Sequence, residues 1–534
     1  MENIESAAPR VGLMDLKDGY LVDTAYTWGF YEGQSPFLIN YVARLNGVDA
    51  RPIEEPFTYL ELGCGNALTV NVLAACFPHG DFYAVDLNAD HIANGRMLAE
   101  KGGLNNVSFF LDTFERLREM QLPAFDYITL HGVYSWVSAE VRRDIVKVID
   151  AKLKPGGLVY VSYNTMQGWA ALLPLRQIML SYSEHRDLQG SRERAAEGLR
   201  YLRYLRDNKA TYFEKNPGSG AALDRLLQQD LSYVVHEYFN ESWEPQYFSQ
   251  IAAEMAQAGL RFCGTTAMAR NYADLSIPKA FRGLLDAAND DFVRETHKSL
   301  ILNEKFRTDV YVRGTDFVPQ EQRSRLFETT FFGANVPATE ITRHVQVGAM
   351  TVNYEGKIYD ELIPALADGT RSAAEICGLP AFESVPPADV IKAINNLVPG
   401  GQFRPLAARA PQLSNRGPEN LRIASRFNRA VLEERLLAGG ANVVPLASPV
   451  MGNGIMADSI TGLLLLAFDR GGSDDLVERV LVLLEETGRS LRTDDRTVSD
   501  PAEARKLIDF ASAKFRTQHL PLLIRFGILE PVAA

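Results

Sequence analysis

Cysteine is scarce and scattered in this chain. Cys64, Cys76, Cys263 and Cys377 are the only four, and no two form a Cys-x-x-Cys pair. That spacing argues against a disulfide framework and against a zinc site built on paired cysteines, so no metal is expected. Long apolar runs are missing too. The greasiest, Ile460 to Phe468, falls far short of the roughly 18–20 residues that span a bilayer. Met1 to Asp18 lacks the charged-then-apolar pattern of a secretory leader. Positive charge is in deficit, with 55 Lys and Arg against 67 Asp and Glu and a net charge of −12. Nucleic-acid binders carry a basic footprint, so a nucleic-acid partner is not expected. The Arg-rich stretch from Arg192 to Arg206 is interleaved with Glu193 and Glu197 and reads as a solvated helix face. There is no internal repeat or low-complexity tract. The expectation is a reduced, soluble, cytoplasmic protein with no membrane span.

What is present is enough apolar material for several cores. The 534 residues suggest about two to four domains at roughly 150 residues each. Between 57 and 165, short apolar runs alternate with helix-like stretches. Strands are expected at Phe57–Leu62, Asp81–Leu87, Val107–Leu111, Phe125–Leu130 and Leu158–Tyr163. Helices are expected at Ala67–Phe77, Ala89–Lys101 and Ala139–Leu153, the last capped by Ser138. Strands spaced by helices imply β-α-β units in a doubly wound parallel sheet. Residues 170–240 read as helical with a break at Asn216-Pro217-Gly218, which suits a clamp or lid inserted after the fifth strand. Trp243 to Phe262 reads as helix then strand, and Phe306 to Arg313 as a strand; these two strands are expected to complete the sheet. Beyond a linker at Gly314–Pro319 the pattern changes. A strand at Met350–Tyr354 and helices at Glu361–Ala367, from Ser372 and at Asp389–Val398 suggest a winged-helix-like module. Residues 410–454 carry loop signals around a helix at 418–438, and 456–534 are mostly helical.

The Gly-bearing turn after the first strand is the most informative feature. Glycine lets the backbone bend sharply and approach a ligand closely. A dinucleotide site wants Gly-x-Gly-x-x-Gly, but Gly63-Cys64-Gly65-Asn66-Ala67-Leu68 places Leu68 at the third glycine. S-adenosylmethionine (SAM) has no phosphate and carries an ammonium. An acidic residue two before the first Gly suits it, and Glu61 stands there. The third glycine usual in methyltransferase loops is replaced by Ala67. Asp86, about twenty residues after Gly65 at the end of the second strand, is placed to accept from ribose hydroxyls, with Leu87 beside it. Asp112 and Thr113 follow the third strand, where an adenine amino group is often held. Leu153-Lys154-Pro155-Gly156-Gly157 precedes the fifth strand as in many methyltransferases. The expected cofactor is SAM, held by Glu61, Gly63, Cys64, Gly65, Asn66, Asp86, Leu87, Asp112, Thr113 and His131.

In such sheets the acceptor lies at the carboxyl ends of the strands. His131-Gly132-Val133-Tyr134-Ser135-Trp136-Val137 and Ser162-Tyr163-Asn164-Thr165-Met166-Gln167-Gly168-Trp169 therefore flank the methyl group. Methyl transfer is an in-line displacement that needs nucleophile, carbon and sulfur held collinear in a dry site. Tyr163 and Asn164 are candidates to orient an incoming amine. Tyr134, Trp136 and Trp169 are candidates for an aromatic wall, against ordinary packing. His131 is a candidate base, against a role in ordering its loop. Tyr26, Trp28, Phe30 and Tyr31 precede the first helix and can fold over the cofactor or simply anchor their segment. His236-Glu237 is not a zinc motif, because His-Glu-x-x-His would need histidine where Asn240 stands.

The runs Leu60–Gly65, His131–Val137 and Ser162–Trp169 resemble bacterial class I methyltransferases that carry a methyltransferase regulatory domain, among them the rickettsial protein lysine methyltransferases. The resemblance extends to Val235–Asn240, Trp243-Glu244-Pro245, Ala258-Gly259-Leu260, Phe306-Arg307, Ser448–Gly452 and Leu520-Pro521-Leu522. The proline usual after the Asn-Thr pair is replaced by Met166-Gln167. The resemblance implies an α/β, Rossmann-like SAM-dependent methyltransferase domain with a helical insertion, plus a mainly helical, winged-helix-like C-terminal region. The expected division is a SAM-binding core at 1–180, a helical insertion and regulatory or middle domain at 181–320, and a C-terminal domain at 321–534, winged-helix-like at about 345–408. The resemblance also implies a homodimer and protein lysine as one acceptor. A small-molecule, glycan or natural-product acceptor, and a non-enzymatic SAM-binding or interaction protein, remain as alternatives.

Overall fold

The computed structural model describes residues 16–17, 20–21 and 28–531, apart from 185, 187, 189, 241, 289, 349, 368, 412–420, 473, 492–495 and 499. Of the residues singled out above, Tyr26 and the start of the 418–438 helix lie outside them.

Seven strands form the central sheet: β1 (Phe57–Leu62), β2 (Gly80–Asp86), β3 (Val107–Leu111), β4 (Phe125–Leu130), β5 (Leu153–Asn164), β6 (Leu260–Thr265) and β7 (Phe306–Arg313). Their order is β3-β2-β1-β4-β5-β7-β6. Strand β7 is antiparallel to both β5 and β6; the other neighbours are parallel. Every residue of β4 is buried, as expected of a strand covered on both faces. Strand alternation divides the side chains between two cores. Tyr59, Tyr127, Tyr160 and Val310 face one, and Leu60, Ile128, Val161, Tyr163 and Tyr311 the other. The flanking helices include α1 (Pro36–Leu45), α2 (Leu68–Cys76), α3 (Ala89–Gly102) and α4 (Ala139–Lys152). The Ser138 hydroxyl caps α4 by accepting from the Val141 amide.

The expected strands and helices stand within a residue or two, except at β5. That strand begins at Leu153, and the Pro155-Gly156-Gly157 run bulges inside it, shifting the register against β4 between Phe125 and Tyr127. Between β5 and β6 the chain builds a separate helical layer, with helices at Leu173–Glu184, Ser191–Asp207, Thr211–Lys215, Pro217–Leu226 and Leu231–Tyr238. Pro217 opens its helix where its missing N–H costs nothing, which explains the break. This layer has its own core around Trp169, Met179, Leu202, Leu223, Tyr238 and Trp243.

The stretch read above as winged-helix-like contains helices at Lys357–Ala367, Ala373–Cys377 and Pro387–Leu397 and strands at Arg371–Ser372 and Phe403–Leu406, while Met350–Asn353 pairs apart from these with His344–Val347. Its central strand, Phe331–Ala334, comes from upstream of the helices. Residues 410–454, expected to be loop around a helix, hold more structure. Leu421–Ile423 pairs with Leu529–Pro531, the helix starts at Arg426, and Val443–Ser448 pairs with Asn453–Asp458 in a hairpin. Pro445, Pro449 and the Asn453-Gly454 pair carry turn signals, but the hairpin satisfies its own backbone. This C-terminal region shares one core with the α1–α3 face of the sheet, and Phe427 packs where a Cβ on Gly102 would come within 2.6 Å.

One local conflict is resolved across two elements. Ala67, at the head of α2, has φ +56°, a left-handed conformation that favours glycine. Its methyl is accommodated because α3 presents Gly95 opposite; a Cβ there would lie 2.7 Å from the Ala67 Cβ and 2.9 Å from Phe109. Gly95→Ala is expected to destabilise by about 1–3 kcal/mol through overpacking. Ala67→Gly in the same chain should restore part of it, read as a non-additive shift in denaturation midpoint.

Candidate functional site

A cleft opens at the carboxyl ends of β1, β2, β3 and β4. Gly63–Asn66, Asp86–Asn88, Thr113–Glu115 and His131–Val133 line it, with Glu61 at its floor and Gly29, Tyr31, Trp136 and Val137 at its sides. The glycine loop is locked to β2. The Gly63 and Cys64 amides donate to the Val85 carbonyl at 2.8 and 3.0 Å. Gly63 has φ +69°, and a Cβ on it would meet Val133 at 2.5 Å, so another residue there would be strained and would have to displace Val133.

Asp86 ties the first two loops together. Its Oδ2 accepts from the Gly65 amide at 2.8 Å and its Oδ1 from the Asn88 amide at 2.9 Å, with His91 Nδ1 3.1 Å from Oδ1. A carboxylate offers about four lone-pair sites, so capacity remains for a ligand hydroxyl. Leu87 and Asn66 line the cleft beside it. Asp112 differs from expectation. It is not among the lining residues, and its Oδ1 accepts from the Thr113 amide at 2.9 Å and lies 3.4 Å from Arg116. The next three residues, Thr113–Glu115, form that wall instead.

Glu61 is the most unusual group. It is 3% exposed; its Oε1 accepts from Gln34 Nε2 at 2.9 Å, and its Oε2 has no hydrogen-bond partner. Burial pushes its pKa up to about 8; the Gln34 hydrogen bond opposes that, the Asp86 charge adds to it, and the Val70 backbone N–H opposes it in turn. A buried carboxylate with one unfilled oxygen suits a cationic group, which would restore its charge. The glycine loop and Asp86 beside it fit the rest of SAM.

The acceptor residues divide. His131 lines the cleft, stacked on Tyr31 with ring centroids 3.7 Å apart, and shares a 2.8 Å hydrogen bond between Nδ1 and the Tyr160 hydroxyl. Burial pulls its pKa down to about 3, so the imidazole is neutral. Trp136 also lines the cleft. Tyr163 does not: it faces the opposite core, and its hydroxyl donates to Asp309 Oδ2 at 2.6 Å. Tyr134 lies in the same core and donates to the Glu254 carboxylate. The reason is the two-residue period of β5, which sends Tyr163 and Asn164 to opposite faces. Asn164 ends β5, buried, its backbone bonded to Ser135 and Gln246 and its Nδ2 without a partner. Trp169 belongs to the core of the helical layer, 4.9 Å from Trp243, and donates to the Lys305 carbonyl at 3.0 Å. It is not a wall of the cleft. Phe306, unassigned from the sequence, stands in register with Asn164, 43% exposed, with its ring 5.5 Å from His131. Gln34 and His91 were missed as well. No motif marks them, since each matters only through a carboxylate the fold brings near.

A methyltransferase-domain model matches residues 60–159, and a model described as a predicted methyltransferase regulatory domain matches residues 230–313. An uncharacterized protein of Synechocystis sp. is 32% identical over 516 residues, 96% of this chain and 100% of that one. The chain belongs to the SAM-dependent methyltransferases with a methyltransferase regulatory domain. An uncharacterized protein of Rickettsia prowazekii is 29% identical over 281 residues, about half of each chain. Among solved structures, PKMT2 from Rickettsia typhi in complex with AdoHcy superposes with a TM-score of 0.72 over 94% of this methyltransferase and 99% of that chain, at 20% identity, a likeness of fold. No helix among the described residues is long and apolar enough to cross a membrane.

The raised pKa of Glu61 has a thermodynamic consequence in the free enzyme. The folded state keeps its proton up to about pH 8, whereas the unfolded chain loses it near 4.5. Stability from this group is therefore present below the unfolded pKa and is lost as pH rises to about 8, with a slope of up to about 1.4 kcal/mol per pH unit. Chemical unfolding at pH 5 and pH 8 should show the loss, and Glu61→Gln should flatten it.

Proposed function

We propose that this methyltransferase transfers the methyl group of SAM to the side-chain nitrogen of a protein lysine. The observation that carries this reading is the acceptor end itself. His131 is held neutral between Tyr31 and Tyr160, partly exposed Trp136 and exposed Phe306 stand beside it, and Asn164 has an unfilled amide. A neutral, aromatic mouth admits an amine without repelling it, and partial desolvation favours the uncharged amine that reacts. The structural likeness to PKMT2 from Rickettsia typhi and the family resemblance point the same way.

In this reading Glu61 holds the cofactor's ammonium, Asp86 its ribose hydroxyls and the Thr113–Glu115 wall its adenine. Bound SAM supplies a methyl carbon on a sulfonium, so that a C–N bond forms as the C–S bond breaks and its electron pair stays on sulfur. Gly63, Cys64, Gly65, Asn66 and Leu87 shape the cleft around it. Asn164 turns its amide to orient the amine, and Trp136 with the Tyr31–His131 stack excludes water. The proton is lost from the ammonium to solvent before attack, and the neutral His131 adds no charge that would repel the amine. Residues 1–180 carry the cofactor and 181–320 cover the acceptor; the four cysteines, none paired, accord with a cytoplasmic setting, and a homodimer is the expected assembly.

Purified enzyme, methyl-labelled SAM and a host lysate test the acceptor. Label on lysines of a protein, with a mass gain of one methylene, is expected; label confined to small metabolites would refute the lysine acceptor. Site roles separate by substitution. Asn164→Ala should lower kcat at least tenfold, about 1.4 kcal/mol, with SAM affinity retained. Tyr163→Phe should leave kcat nearly unchanged while costing stability, because its hydroxyl serves Asp309.

A further inference from the structure

Residues 28–35 form a strap between the cofactor cleft and the C-terminal region. On the cleft side, Gln34 Nε2 donates to Glu61 Oε1 at 2.9 Å, the Tyr31 amide donates to Thr69 Oγ1 at 3.1 Å, and the Tyr59 hydroxyl donates to the Gln34 carbonyl at 3.2 Å. Gln34 is fully buried, and its Oε1, like Glu61 Oε2, has no partner.

On the far side the strap is held by residues more than 370 positions away in sequence. Asn453 Nδ2 donates to the Glu32 carbonyl at 3.0 Å, and Ser35 Oγ donates to the Gly452 carbonyl at 2.6 Å. Arg404 meets the Glu32 carboxylate at 3.0 Å. The fit is close: a Cβ on Gly454 would lie 2.6 Å from the Phe30 ring, and one on Gly452 2.8 Å from Phe77. Asn453 is itself buried and fixed, its Oδ1 accepting from the Gly454 amide at 2.9 Å.

We propose that Gln34 is a positioning residue for Glu61 and that the hairpin turn at Gly452–Gly454, through Asn453, holds it in place, so that the C-terminal region completes the SAM site of the cofactor domain. The physical logic is one of selection between oxygens. Gln34 occupies one oxygen of Glu61 and leaves the other for the cofactor's ammonium. It also stabilises the charged form that an ammonium needs. A strap of eight residues ordered only by the sheet would bear the entropy of its own fixing on cofactor binding; the turn fixes it beforehand. This assigns part of residues 421–531 a purpose in catalysis without any contact to substrate.

The test is calorimetric titration of the full chain with SAM across pH 6–9. Gln34→Leu should weaken binding at least tenfold and move the pH midpoint of affinity upward, because Glu61 loses a hydrogen bond to its charged form. Asn453→Ala should shift both in the same direction by less, and the double variant should bind no worse than Gln34→Leu alone. If Asn453→Ala does not fold, Asn453→Ser, short of the Glu32 carbonyl and uncharged, removes the donor to Glu32 with less loss of volume. An Asn453 variant with the parent's affinity and midpoint, or one whose loss adds in full to that of Gln34→Leu, overturns the proposal.

Discussion

A carboxylate buried without a counter-charge is among the costlier things a fold can contain, and much of this site is arranged around one. Glu61 sits near the end of β1, inside the sheet, buried at the floor of the cleft. The protein gives it the Gln34 amide and the Val70 backbone N–H, and no cation. Unliganded, the group relieves the cost by keeping its proton. The glycine loop above it is tied to the Val85 carbonyl by two hydrogen bonds and lies close against Val133. Affinity for a cationic cofactor is thus stored as an unmet electrostatic demand in a preformed shell, rather than created by closure around the ligand.

That arrangement explains which residues could be read in advance. Glu61, Gly63, Gly65 and Asp86 act within one strand–loop–helix unit or between adjacent parallel strands, so their spacing along the chain is their spacing in space. The order of strands and the completion of the sheet by Leu260–Thr265 and Phe306–Arg313 were legible for the same reason, as apolar runs of strand length. The acceptor side was less so. Tyr163 and Asn164 are neighbours in sequence but lie on opposite faces of β5, and nothing in the letters says that neither lines the cofactor cleft. Trp169 looks like part of a substrate wall until the helical layer is seen to need a core, and it is taken there beside Trp243.

Ala67 illustrates a departure that sequence patterns flag without resolving. Its left-handed conformation calls for glycine. The compensation lies at Gly95, one helix later, where the missing Cβ makes room for the extra methyl. A motif read residue by residue registers a defect; the packing shows an exchange of glycine between facing elements. The same holds for Gly102, whose missing side chain admits Phe427 from the C-terminal region.

These close approaches bear on why the chain is so long for a methyl transfer. The α1–α3 face of the cofactor domain does not end in solvent. Its core continues into the C-terminal helices and hairpin, and the hairpin turn reaches the strap that meets Glu61. Three contacts of high sequence separation thus fall on the segment whose local sequence says least: residues 28–35 have no long helix or strand of their own. A segment so poor in internal hydrogen bonds keeps one conformation only if its surroundings over-determine it, and here the cleft and the C-terminal turn do so from opposite sides. Cofactor binding and the seating of the C-terminal region act on the same few bonds, so the two are thermodynamically linked and each must favour the other by the same factor.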